Sequence, residues 1–223
     1  MKTLTESEEN YIKALYYLGD RDAVSNGDLA TRIGAKGSSV TQAVKRLALK
    51  SLVEVVPYRG VRLTEDGRTQ AIHILRKHRL WETFLVEKLG FGWEEVHPIA
   101  EQLEHVQSPE LVRRLAAFLG SPESDPHGDP IPHENGHVPP KQGRPLSVFE
   151  AGQEFEVVRV EDAGSEFFSQ LDSLQIALGN TYTVKSISAF DKSIELERSE
   201  GSSFWLSSSM SNNIYANPTY KQS

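Results

Sequence analysis

The chain has 223 residues, 24 basic and 31 acidic side chains, a formal net charge of −7 and no cysteine. That length can bury a sizeable core and fits one large domain or two to three small ones. The missing cysteine excludes a disulfide framework, thiolate zinc or iron–sulfur ligation and a thiol nucleophile. No apolar run approaches the ~18–20 residues of a membrane span, and MKTLTESEEN lacks a basic-then-apolar leader, so the expected location is the cytoplasm.

Residues 5–18 read as a helix, opened by a Thr5/Glu8 capping box and carrying Tyr11, Ile12, Leu15 and Leu18 as its apolar face. Ser25 and Asp28 start a second, short helix that stops at Gly34. After a tight turn, Val40, Ala43, Val44 and Leu47 fall at i, i+3, i+4 and i+7 and predict a third helix, with Gln42, Lys45 and Arg46 on its other faces. VEVVPYRGVRLT reads as a hairpin around Pro-Tyr-Arg-Gly. Helix, short helix, turn, helix and basic hairpin make a winged helix-turn-helix.

A long helix follows from Glu65 to Leu89. In GWEEVHPIAEQLEHV, Pro98 is expected in the first turn of a helix reaching about Val106, because proline disrupts a helix interior. Ser108-Pro109 starts another helix that stops at Gly120. Residues 121–145 hold seven of the eleven prolines and read as a linker over the surface, with His127, His133 and His137 in a solvated loop. From Leu146 the texture is β, with EFEVVRV, NTYTVKSI and SIELERS as strands and SEFFSQLDSL as a short helix, describing a small SH3-like β-barrel. The fold class is mainly α with a small β domain. The expected division is 1–73 winged helix, 74–120 helical block, 121–145 linker and 146–223 SH3-like domain.

The net charge is an average. Residues 32–62 carry Arg32, Lys36, Lys45, Arg46, Lys50, Arg59 and Arg62 against Glu54 alone, a balance of +6, whereas 82–134 and 145–223 are strongly acidic. The basic stretch is either a solvated face or a nucleic-acid footprint, and a winged helix favours the second. In the acidic helical block His78 and Glu82 are i, i+4, and His97 precedes Pro98. Glu101, Glu104 and His105 fall at i, i+3, i+4, so they can converge on one point. Each pair alone reads more readily as a surface ion pair; the set beside a winged helix reads as a site for a divalent first-row metal.

MKTLTESEENYIKALYYL, SSVTQAVKRL, RKHRLWETFL and VHPIAEQLEHV, in this order, resemble the diphtheria-toxin-repressor family of metal-dependent transcriptional regulators. The resemblance is close through Gly120 and looser through the C-terminal segment. It implies a winged-helix domain, a helical metal-binding and dimerisation domain and an SH3-like domain. By this resemblance Glu101, Glu104, His105 and Asn10 match a primary metal site. His78, Glu82 and His97 match an ancillary site, with Glu161 and Asp162 as candidates for its ligands from the β domain. Ser38, Ser39 and Gln42 match base-facing positions, and Lys36, Lys45, Arg46 and Arg59 are phosphate-contact candidates.

Asn10 offers a neutral amide where the family usually carries Asp or Met, and Glu9 beside it is an alternative. Lys13 stands where two-domain manganese regulators carry an acid, which argues against their closely spaced binuclear centre. An all-oxygen and nitrogen donor set favours Mn2+ over Fe2+. The implied protein is a homodimeric repressor of metal-uptake genes, activated by metal for binding double-stranded operator DNA, with no catalytic residues, membrane or small organic substrate. The alternatives are a metal-independent winged-helix regulator and a metallohydrolase; the latter has neither an HExxH motif nor a nucleophile elbow to support it.

Overall fold

The computed structural model describes residues 4–161 and 163–219. The chain divides into two compact units, one of residues 1–81, 100–117 and 132–138, the other of 82–99, 118–131 and 139–223. Among the described residues, no helix is long and apolar enough to cross a membrane.

In the first unit, α1 (Glu6–Gly19) begins as its local sequence dictates. Thr5 accepts from the Glu8 amide and Glu8 reaches back to the Thr5 amide, which satisfies two otherwise orphaned donors. α2 (Asn26–Ile33) is capped by Ser25 and closed by Gly34 in the left-handed region. α3 (Gly37–Leu49) buries Val40, Ala43, Val44 and Leu47 and leaves Lys36, Ser38, Ser39, Gln42, Lys45 and Arg46 exposed. These faces close a core with Ile12, Leu15, Leu29, Leu52 and Val61. Each fully buried aliphatic side chain there contributes roughly 1.5–3 kcal/mol.

The wing is β1 (Val53–Val56) paired antiparallel with β2 (Gly60–Leu63), in register Val53↔Leu63 and Val56↔Gly60. Its second strand is bridged to Val24 through Val61. Gly60 sits at φ 114°, and a Cβ there would lie 2.0 Å from the Val24 carbonyl oxygen. Gly60→Ala is therefore expected to destabilise the unit by roughly 1–3 kcal/mol, through both strain and clash, measurable as a lowered melting temperature.

α4 (Glu65–Leu89) is a single 25-residue helix. α5 spans Trp93–Leu103 and contains Pro98 at its sixth position. The first-turn placement of Pro98 is thus corrected: the helix starts earlier, at Trp93, and forgoes one intrahelical bond at the proline. Glu104 and His105 lie in the turn just after α5, although the Glu104 amide still donates to the Ala100 carbonyl at 2.8 Å. α6 (Pro109–Phe118) starts on Ser108, whose hydroxyl accepts from the Leu111 amide.

The second unit is built on a six-stranded antiparallel sheet in the order β3-β8-β4-β5-β6-β7. Its strands are β3 (Arg144–Pro145), β4 (Glu154–Val160), β5 (Thr181–Ile187), β6 (Ile194–Arg198), β7 (Ser203–Leu206) and β8 (Ile214–Pro218), with helices α7 (Ser165–Ser173) and α8 (Ser208–Asn213). Strand pairing describes an open sheet order rather than a closed barrel. Phe149, Phe155, Val157, Phe168, Leu171, Val184, Leu196 and Ile214 form its core.

Part of the proline-rich segment belongs to this unit and is not a loose linker. The His127 carbonyl accepts from the Val160 amide, and the Ile131 amide donates to Glu123. Gly128 at φ 87° presses so closely on β4 that a Cβ would lie 2.2 Å from the Val158 carbonyl oxygen. Backbone pairing to a strand, invisible in a composition dominated by Pro, Gly and His, orders these residues.

Candidate metal centre and nucleic-acid interface

In the first unit, α1 carries Glu9 and Lys13 one turn apart, both buried, while Asn10 between them is exposed. The Lys13 ammonium lies 2.7 Å from Glu104 Oε2, 3.3 Å from His78 Nδ1 and 3.7 Å from Glu101 Oε1. His78 Nδ1 approaches the same Glu104 oxygen at 2.6 Å. Glu104 is fully buried, and its other oxygen, Oε1, has no hydrogen-bond partner. Burial pushes the Glu104 carboxyl up, but the His78 hydrogen bond and the Lys13 charge outweigh it and hold the group below the ordinary carboxylate value.

His105, beside Glu104, pairs through Nδ1 with Glu9 Oε2 at 2.5 Å. Glu9 Oε1 accepts from Gln107 Nε2 at 2.7 Å and faces the Lys77 ammonium at 3.7 Å. Burial lowers the Lys77 pKa, an effect that Glu9 and Glu104 only partly offset. Glu101 is half-exposed, with 53% of its side chain accessible. The structure therefore forms two adjoining sets, Glu104 and His78 with Lys13, and His105 with Glu9; Asn10 forms none of these contacts.

A separate cluster lies in the second unit. Ligand atoms of Glu82, Asp125 and His127 all fall within 4.8 Å of one another. Glu82 is 3% exposed, and His97 Nδ1 meets its Oε1 at 3.3 Å. Asp125 is held by its own loop: its Oδ1 accepts from the amides of His127 and Asp129 at 2.9 and 3.0 Å. The His127 ring packs against Trp93 and Phe168, with centroids 5.7 and 5.2 Å away. Asp125 and His127 were not among the sequence-derived ligands, and the solvated-loop expectation for His127 is corrected. The only signal was the Asp-Pro-His-Gly-Asp-Pro run itself, which composition alone assigns to a turn. His78 lies one turn before Glu82 on α4.

Glu161 is engaged elsewhere. Its Oε1 accepts from Arg159 at 3.0 Å and Lys141 at 3.1 Å, and its Oε2 accepts from the Tyr215 hydroxyl. Burial would raise its pKa, but Lys141, Arg159 and Tyr215 hold it below the ordinary value. Asp162 lies outside the described residues.

The Glu82–Asp125–His127 cluster, two buried carboxylates and an imidazole, suits a divalent first-row ion through oxygen and nitrogen donors. The Glu104–His78 set instead holds the Lys13 ammonium and keeps Glu104 Oε1 as a buried oxygen without a partner. On the opposite chemistry, α3 and the wing expose the predicted Lys36, Ser38, Ser39, Gln42, Lys45, Arg46 and Arg59. Ser38, Gln42 and Lys45 share one stripe at i, i+4 and i+7. Lys50, counted in the basic stretch, instead pairs with Glu8 at 2.8 Å and ties the end of α3 to α1.

A winged helix joined to carboxylate–imidazole clusters and a small β domain defines a DNA-binding regulator with a metal-binding segment. Residues 3–61 match the iron dependent repressor N-terminal DNA binding domain, 64–133 the iron dependent repressor metal binding and dimerisation domain, and 144–218 the FeoA domain. The chain belongs to the diphtheria-toxin-repressor family of metal-dependent transcriptional regulators. It is 39% identical over 133 residues to the iron-dependent repressor IdeR of Mycobacterium tuberculosis, covering 59% of this chain and 58% of that one. It is 36% identical to the diphtheria toxin repressor of Corynebacterium diphtheriae over 133 residues, 59% of each chain. The matched region thus spans just under three-fifths of these relatives. Among solved structures, a manganese-dependent transcriptional repressor in complex with manganese superposes with a TM-score of 0.86 at 36% identity, covering 95% of this chain and all of that one. ScaR with bound Cd2+ gives a TM-score of 0.76 at 30% identity, covering 95% and 99%.

Proposed function

We propose that this protein is a homodimeric, metal-dependent transcriptional repressor of the cytoplasm. It binds double-stranded operator DNA when Mn2+, in preference to Fe2+, occupies its sites, and it is a regulator of metal-uptake genes rather than an enzyme. The observation that carries the reading is Glu104 Oε1, a buried carboxylate oxygen with no partner, beside His105. Glu101, Glu104 and His105, with Asn10 the candidate from α1, hold the primary ion. Glu82, Asp125 and His127, with His97 as the sequence-derived partner, hold a second. A divalent ion supplies positive charge and directional bonds that these carboxylates and imidazoles can share.

The chain's own residues explain how such a site reaches DNA. Three positions of α1 tie it to two other places in the chain: Glu8 to Lys50 at the end of α3, and Glu9 and Lys13 to His105 and Glu104 in the turn after α5. Whatever fixes the Glu104–His105 turn therefore fixes α1, and α1 is tied to the recognition helix. Glu9 acts as the positioning residue for His105: by accepting from Nδ1 it commits that nitrogen and leaves Nε2 for a ligand role, the usual arrangement of metal-binding histidines. Glu9→Gln is expected to weaken Mn2+ binding by about 10–100-fold, readable by calorimetry; an unchanged affinity would remove Glu9 from this role.

Metal binding must favour the DNA-competent arrangement by about 1–3 kcal/mol to act as a useful switch. Basic side chains then supply salt-dependent phosphate affinity, and Gln42 with Ser38 and Ser39 reads base edges. The test is chelation: DNA binding should be lost with a chelator and restored by Mn2+ or Fe2+. Undiminished binding in chelator would instead establish a metal-independent regulator.

A further inference from the structure

We infer that Tyr58, at the tip of the wing, is a DNA-contacting residue whose aromatic face lies against sugar and base edges in the minor groove beside the recognition helix. The inference rests on the DNA-binding function proposed above and adds a residue and a mode of contact to it.

The local geometry argues against an incidental tyrosine. The Arg59 amide donates to the Val56 carbonyl at 3.1 Å, which closes a four-residue turn with Pro57 second and Tyr58 third. Tyr58 has φ 62°. A proline-led turn with positive φ at its third position favours glycine or asparagine there, because a side chain is strained in that region. Tyr58 is also fully exposed, at 108% relative accessibility, so no packing within the described structure offsets the strain. A strained backbone that presents a bare aromatic ring to solvent loses stability twice over, and such features cluster at functional sites.

The wing's construction aims this ring outward. The second strand stays packed almost to the tip, with Val61 buried, while its partner Val55 on the first strand is 64% exposed, so the turn carrying Tyr58 lies beyond the last packed pair. Gly60 against the Val24 carbonyl holds the hairpin in place. Arg62 is engaged across the hairpin by Glu54, and Arg59, next to Tyr58, is the exposed cation of the tip. An aromatic or apolar tip flanked by arginine is the chemistry that minor-groove contacts use: the cation follows the groove's negative potential and the apolar group meets sugars and base edges.

The test uses the full-length protein with Mn2+ and a duplex recovered by in vitro selection on that same wild-type complex. Tyr58→Asn keeps a residue tolerant of positive φ, so it should melt at or above the wild-type temperature and still lose about tenfold in DNA affinity. Because the contact is uncharged, the dependence of affinity on salt concentration should be unchanged. Arg59→Ala, by contrast, should reduce the salt slope by about one. Tyr58→Phe should bind as wild type. Wild-type affinity in Tyr58→Asn would overturn the inference, as would a loss that appears only as a reduced salt slope, or a Tyr58→Phe variant as weak as the asparagine one. Failure of the wild-type protein to retain any duplex would sink the DNA-binding function itself, a distinct result.

Discussion

Lys13→Met is expected to destabilise the first unit by about 3–5 kcal/mol, the usual cost of leaving one member of a buried ion pair without its counter-charge. Lys13 is 7% exposed and Glu104 is fully buried. Methionine replaces the apolar stem and removes only the charge. His78 continues to hydrogen-bond Glu104 Oε2, which places the loss toward the lower end. The pH dependence has a definite sign. The folded-state pKa of Glu104 lies below its unfolded value, so its contribution is present above the ordinary carboxylate range and is lost as pH falls through the depressed value. Wild type and variant should therefore differ most at neutral pH and converge in acid, as denaturant titrations at both pH values will show. Mn2+ should raise the melting temperature of the variant more than that of the wild type, because an ion beside Glu104 replaces the missing positive charge. Equal stability at neutral pH would mean that the pair has no net weight.

The second large effect falls on function. Glu104→Gln alone leaves Lys13 buried without its charge partner, so lost DNA binding could reflect lost folding. The double variant Lys13→Met/Glu104→Gln avoids this by removing both charges, and buried ion pairs replaced in concert often cost little. It should recover most of the stability lost in Lys13→Met. Mn2+-dependent DNA binding should nevertheless fall by roughly 100-fold or more, since loss of a second-shell partner alone costs 10–100-fold and Glu104 is assigned as a direct ligand. The readouts are a melting curve and a Mn2+ titration of DNA binding on the same preparation. A stable double variant that still binds DNA in response to Mn2+ would take Glu104 out of the sensor.

The winged helix was legible because its signals are local. The Thr5/Glu8 and Ser25/Asp28 caps, the Val40–Val44–Leu47 face and the Pro-Tyr-Arg-Gly turn each act within about four residues, and the structure forms all of them. The E-x-x-E-H spacing likewise located Glu104 and His105. It did not show that α5 ends at Leu103 and delivers both from the following turn. β7, α8 and β8 were missed because SSFWLSSSMSNNIYANP breaks its apolar residues into short runs between serine and asparagine, and its strands are completed by pairing with β6 and β4. Asp125 and His127 were missed for a related reason. Nothing local distinguishes a Pro-His-Gly turn in solvent from one hydrogen-bonded to β4 and packed under Trp93 and Phe168.

By itself the sequence determined the order and kind of the N-terminal elements, the separation of a basic stretch from acidic segments, and a donor set without sulfur from cysteine. Those follow from residue type and from hydrogen bonds closed within a turn or two of chain. Only the tertiary structure decided which charges meet: Lys13 with Glu104 across 91 positions, Glu9 with His105 across 96, and Glu161 with Arg159 and Lys141 rather than with Glu82, Asp125 and His127. A carboxylate reads the same in sequence whether it ends beside an ammonium, a histidine or a pair of carboxylates. Its role is set by burial and by the partner that chain folding brings within about 3 Å, and neither is encoded at short range.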